Sequence, residues 1–118
     1  MEIRDMQLEQ AEWSKKNFPD SPSYHPLLGV VEEVGELCHA ILKLEQGIRG
    51  KPEDHDLAGQ DAVGDTLIYL MDFCTRKGWD MQEILEKTWD HVKQRDWQKD
   101  KKRGGIASNL AQESEQDG

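Results

Sequence analysis

Five carboxylates stand out by type and spacing: Glu32, Glu33 and Glu36 in one segment, Asp61 and Asp65 in another. On an α-helix, residues three or four apart share a face, and like charges so placed weaken an isolated helix by about 0.2–0.5 kcal/mol per pair. Glu32 and Glu33 each pair in this way with Glu36, and Asp61 pairs with Asp65. Both clusters border apolar positions (Val34 and Leu37; Val63 and Leu67) where solvated charge is least at home. Any one of these side chains reads as ordinary surface charge in a chain with 24 acidic residues. Two such clusters on neighbouring helices concentrate negative charge that folding resists unless a cation neutralises it. Carboxylate oxygens are hard ligands, so the expected cation is Mg²⁺, with Mn²⁺ as a substitute. Mg²⁺ keeps several waters and binds a few carboxylates together with substrate phosphates, so the expected ligand is a polyphosphate.

The elements that must position these groups read as helices throughout. A first helix is expected over residues 2–18, with Ile3, Met6, Leu8, Ala11 and Trp13 as a loose apolar face and Pro19 as its stop. A turn-rich loop follows, and Pro26 suits the first turn of a second helix over 27–46. Its stripe is Val30, Val34, Leu37, Ile41 and Leu44. Gly47 and Gly50 bracket a break, and 51–55 reads as a polar connection. A third helix is expected over 57–77, striped by Val63, Leu67, Leu70 and Cys74 and capped by Gly78. Asp80-Met-Gln-Glu83 has capping-box spacing and opens a fourth helix to about residue 97, its inner face Ile84, Leu85, Thr88, Val92 and Trp89. Residues 1–103 therefore read as one all-α domain, and the polar stretch 104–118 as a disordered tail.

Bulk properties narrow the function classes. A net charge of -9 opposes nucleic-acid backbones, which are held by Lys and Arg. No apolar run reaches the length of a membrane span and the start is polar, so a cytoplasmic location is expected. Cys38 and Cys74 fall in apolar surroundings and read as reduced core thiols. The four histidines share no metal-ligand spacing with them.

Glu32-Glu33-x-x-Glu36, followed about 24 residues later by Asp61-Ala-Val-Gly-Asp65, resembles the motif pair of the MazG-like all-α nucleotide pyrophosphohydrolases, EExxE and then ExxD. Shorter matches accompany it: Trp13 with Asn17-Phe18-Pro19, Pro26-Leu-Leu-Gly-Val-Val, Gly64-Asp65-Thr-Leu-Ile-Tyr69 and Lys93-Gln-Arg95-Asp-Trp97. The resemblance spans roughly residues 5–103. It implies a four-helix bundle-like protomer completed by dimerisation, as a homodimer or homotetramer, and Mg²⁺-dependent hydrolysis of a nucleoside triphosphate, a deoxynucleotide first, to monophosphate and pyrophosphate. Glu33, Glu36, Asp61 and Asp65 would then ligate the metal and Glu32 would activate water. The family's ExxD glutamate falls on Ala62, so Asp61 would have to do its work from one residue away.

The resemblance also nominates substrate contacts. Lys93 stands where the family tends to carry Asn-x-x-Lys, here Asp90-x-x-Lys93, and Arg95 is a second cation for the phosphates. Tyr69 matches a nucleotide-contacting position, and Trp13 could stack on a base. Three rival readings stay open. Glu36-x-x-His39 is half of a di-iron carboxylate motif, but Pro22, Pro52 and Thr88 stand where a second glutamate should precede a histidine. A helical bundle that binds a nucleotide or a protein after losing catalysis would explain Ala62. A phosphoribosyl-ATP pyrophosphatase-like enzyme would cleave the same kind of bond.

Overall fold

A computed structural model describes residues 1–100. The expected tail at 104–118 lies outside the described residues. The order is α1 (Ile3–Asn17), α2 (His25–Gln46), α3 (Pro52–Lys77), α4 (Met81–Val92) and α5 (Trp97–Asp100), with no strand among the described residues. The expected all-α class is what the chain adopts. No helix among these residues is long and apolar enough to cross a membrane. Two compact units emerge, Met1–Ile84 and a second from Leu85 onward.

In the first unit, α2 and α3 form an antiparallel helical hairpin. A β-carbon at Gly29 would meet Tyr69, and one at Gly59 would meet Ala40, Leu37 and Ile41, so the start of α2 lies beside the later part of α3 and the end of α2 beside its beginning. α2 ends on Gly47 with φ +68°, where Gly47 N–H donates to Lys43 O (2.9 Å) and Ile48 N–H to the same carbonyl (3.3 Å). This left-handed cap needs glycine, since a β-carbon is strained there. α3 starts earlier than expected, because Pro52 is pre-set for a first turn and Glu53 and Asp54 suit the positive end of the helix dipole.

α1 turns inward a face other than the one expected. Leu8 is exposed and Trp13 half exposed, whereas Gln7, Gln10 and Ser14, at three- and four-residue steps, are buried, and of the expected face Ile3 packs against the core. Hydrogen bonds hold this face inward. Gln7 Nε2 donates to Thr75 Oγ1 (3.2 Å) and Trp79 O (2.8 Å), and its Oε1 accepts from Met81 N–H (2.9 Å). Ser14 Oγ donates to Asp72 Oδ2 (3.2 Å). Beside this row, Met71, Cys74 and Met81 form a small core with Ile3, Ile68 and Leu70. Cys38, expected in a core, is exposed, and both cysteines are free.

The expected cap at Asp80 forms: Oδ1 accepts from Gln82 N–H (3.0 Å) and Glu83 N–H (3.4 Å), while Oδ2 takes Arg4 Nε at 2.6 Å. The Arg4 hydrogen bond holds the Asp80 carboxyl below its ordinary value. In the second unit, α4 stops at Val92, five residues short of expectation. Tighter bonds from Gln94 N–H to His91 O and from Arg95 N–H to Val92 O close the turn, and Asp96 Oδ1 then accepts from Lys99 N–H in α5. Leu85 and Trp89, expected on an inner face, are exposed.

Candidate functional site

Three glutamates one turn apart on α2 come together. Glu32, Glu33 and Glu36 each offer an oxygen within 4.8 Å of the others. Glu32 and Glu36 are exposed, but Glu33 is buried against α3, with its Oε2 enclosed and without a hydrogen-bond partner. The hairpin register sets α3's Asp65 opposite Glu33. Burial raises the Glu33 carboxyl above its ordinary 4.5, reinforced by the charges of Glu36, Asp65 and Glu32 and by a hydrogen bond with Glu36. Tyr69 reports the same convergence: burial first, then Glu32, Glu33, Asp65 and Glu36, push its phenol up, so it stays protonated as a donor. Its ring lies over Gly29, where a β-carbon would come within 2.5–2.6 Å.

These groups form one wall of a cavity of about 480 Å³ enclosed by α1, α2, α3 and the loop between α1 and α2. Of the residues nominated from sequence, Glu32, Glu33, Asp65, Tyr69 and Trp13 line it. Glu36 joins through its contact with Glu33. Asp61 is exposed one turn earlier on α3 and is not among the lining residues. Where the motif comparison expects a glutamate, Ala62 is 2% exposed and stands about opposite Glu36. Its methyl packs into the hairpin, so the shared face of α2 and α3 carries four carboxylates, three from α2 and one from α3.

Lys93 and Arg95 belong to the second unit. Lys93 Nζ pairs with Asp90 Oδ1 at 2.8 Å, and that hydrogen bond holds the Asp90 carboxyl below its ordinary value.

The cavity also has residues that sequence reading missed. Gln10 lines it from α1, and its Oε1 is buried without a partner. Phe18 meets Trp13 edge-on at 5.8 Å and 67°. Arg76 is the cation on the wall: its Nε bonds Asp72 Oδ1 (2.9 Å) and its Nη1 donates to Ser21 O (2.6 Å), tying the α1–α2 loop to α3. Gln10 gave no signal because a glutamine beside Glu9 on a helix reads as surface. The i,i+4 spacing of Asp72 and Arg76 was visible but equally suits an exposed pair.

The donor set suits a hard divalent cation. All its atoms are carboxylate oxygens, and the enclosed Glu33 Oε2 has no hydrogen-bond partner. No protein-family model, no curated protein and no solved structure matches the chain.

Proposed function

We propose that this chain is a divalent-metal-dependent nucleoside triphosphate pyrophosphohydrolase of the MazG-like all-α kind, releasing a nucleoside monophosphate and pyrophosphate, with deoxynucleotides as the first substrates to test. One observation carries the reading. Three carboxylates, Glu32 and Glu36 of α2 and Asp65 of α3, act on the buried Glu33, whose Oε2 has no partner, at the wall of a cavity of small-molecule size.

Glu33, Glu36 and Asp65 would hold the metal in this reading, with Asp61, exposed one turn earlier on α3, as a further carboxylate ligand. Bound there, Mg²⁺ supplies neutralisation of phosphate charge and Lewis-acid activation of the anhydride. Glu32, exposed on the cavity wall, accepts the proton of a water whose oxygen forms a new bond to the α-phosphorus. The bond from that phosphorus to the bridging oxygen breaks, and pyrophosphate leaves. Tyr69, protonated, donates a hydrogen bond toward the carboxylate and phosphate end. Trp13 offers a face to the base.

Pyrophosphate release with Mg²⁺ and each dNTP tests the proposal directly. Turnover should vanish in Glu36→Ala and Asp65→Ala, and activity within a few-fold of the parent in either variant would sink it. The buried Ala62 opposite Glu36 favours a second reading, a nucleotide-binding bundle without catalysis. That reading predicts dNTP binding with no pyrophosphate from the parent protein.

The same chain is proposed to work as a homodimer or homotetramer. Leu27, Val31, Val34, Cys38 and Ile41 repeat at alternating four- and three-residue steps along α2, and all are exposed in the protomer. Such a seam suits burial against another helix.

A further inference from the structure

α1 buries three polar side chains on one face, and two of them are paired. Gln7 uses both ends of its amide, and Ser14 donates to Asp72. Gln10, between them and 8% exposed, leaves Oε1 with no partner, and its side chain lies on the cavity wall shared with Glu33 and Asp65. Buried polar groups in folded proteins are almost always satisfied, so an enclosed, unpaired acceptor that one turn of its amide would bring to the cavity points to a ligand for the turned amide. We propose that Gln10 reads the edge of the nucleobase, its carbonyl accepting from a base N–H while its amide N–H donates to the adjacent base acceptor. This rests on the hydrolase reading only for which end of the cavity holds the phosphates.

The chemistry of the amide selects the ligand class. A primary amide offers an acceptor and donors side by side, the complement of a heterocycle with neighbouring N–H and acceptor atoms. The terminal torsion of glutamine has only a broad two-fold preference, so a turn about it presents Oε1 to a bound base. Trp13, half exposed and braced edge-on by Phe18, gives such a base a flat surface. Phosphates held at the carboxylates through a bound divalent cation would leave the base to the α1 wall, where Gln10 and Trp13 both stand.

The test separates the base site from the catalysis. Gln10→Leu, of similar volume and checked for unchanged melting, should lose about 10- to 100-fold in kcat/KM on the preferred nucleotide. A triphosphate whose recognised base nitrogen is methylated should lose a similar factor with the parent protein and little more with Gln10→Leu, since both changes delete one contact. In metal-free protein, the Gln10 side-chain amide resonance should shift with deoxynucleosides and not with deoxyribose. Equal base discrimination by parent and Gln10→Leu, or no amide shift with any nucleoside, overturns the proposal. An amide shift without turnover of any nucleotide supports the base site and defeats the hydrolase reading instead.

Discussion

A carboxyl pressed against three others gives up its proton late, and Glu33 does so because burial and the charges of Glu36, Asp65 and Glu32 all favour the neutral form. The folded state therefore holds that proton more tightly than the unfolded chain. Its stabilisation is complete below the ordinary value of 4.5 and is lost as pH rises through the raised folded value. Asp80 runs the other way. Its carboxyl is lowered by Arg4, so its contribution is complete above 3.8 and is lost as pH falls through the lowered folded value. Above pH 4.5 the contributions of Asp80 and Asp90 are constant, and that of Glu33 declines. Melting of metal-free protein should thus fall as pH rises from 4.5, while Glu33→Gln should flatten that slope and be the more stable form at pH 7. Mg²⁺ should restore stability to the parent more than to the variant. Identical slopes in the two proteins would refute the assignment. Gly29 permits a second residue-scale check, because its missing β-carbon leaves room for the Tyr69 ring. Gly29→Ala displaces that ring and should cost turnover about tenfold or more, beyond the effect of Tyr69→Phe, which keeps the ring in place.

At the scale of elements, Gln7 joins α1 to the α3–α4 connection through three hydrogen bonds, so the hold of α1 rests on amide chemistry as much as on apolar area. Gln7→Leu fits the space but leaves Met81 N–H and Trp79 O unpaired. Urea titration should register a loss of about 2–4 kcal/mol, against about 1 kcal/mol for Ser14→Ala. Equal effects would mean that shape alone seats α1. This helix also marks where sequence reading stopped. The helical spans of α2 and α3, the glycine caps and the Asp80 cap were legible, because local spacing decides them, but Val34, Ile41, Val63 and Leu67, expected in the core stripes, are exposed. So was the gathering of Glu32, Glu33, Glu36 and Asp65, which needs only two helices meeting along their acidic edges. The inward face of α1 was not, since Gln7 and Ser14 are buried by partners more than fifty residues away. Nor was the outward turn of Asp61 beside the buried Ala62, which depends on how α3 is rotated against α2.

For the molecule as a whole, the exposed seam on α2 is the largest feature that a protomer leaves unexplained. Val31 is 71% exposed, and Leu27, Val34 and Ile41 are about two-fifths exposed, on the helix that also carries the three glutamates. Apolar side chains at heptad-like steps gain little from water and much from a second helix, at roughly 25 cal/mol per Å² covered. A second copy of the chain supplies such a helix by symmetry, each seam meeting its own image or the adjoining face of α3, where Val63 and Leu67 are also exposed. Light scattering at micromolar concentration should therefore return at least twice the 13.6 kDa of the chain. Val31→Asp should shift the mass toward one copy without changing helix content, because the residue contributes almost nothing to the protomer's own core. A parent protein that runs as a single copy at that concentration would refute the assembly. A Val31→Asp variant that stays assembled would move the interface off α2. If assembly and turnover are lost together in Val31→Asp while its metal affinity is kept, the second copy completes the substrate site and leaves the ligand set on α2 and α3 untouched.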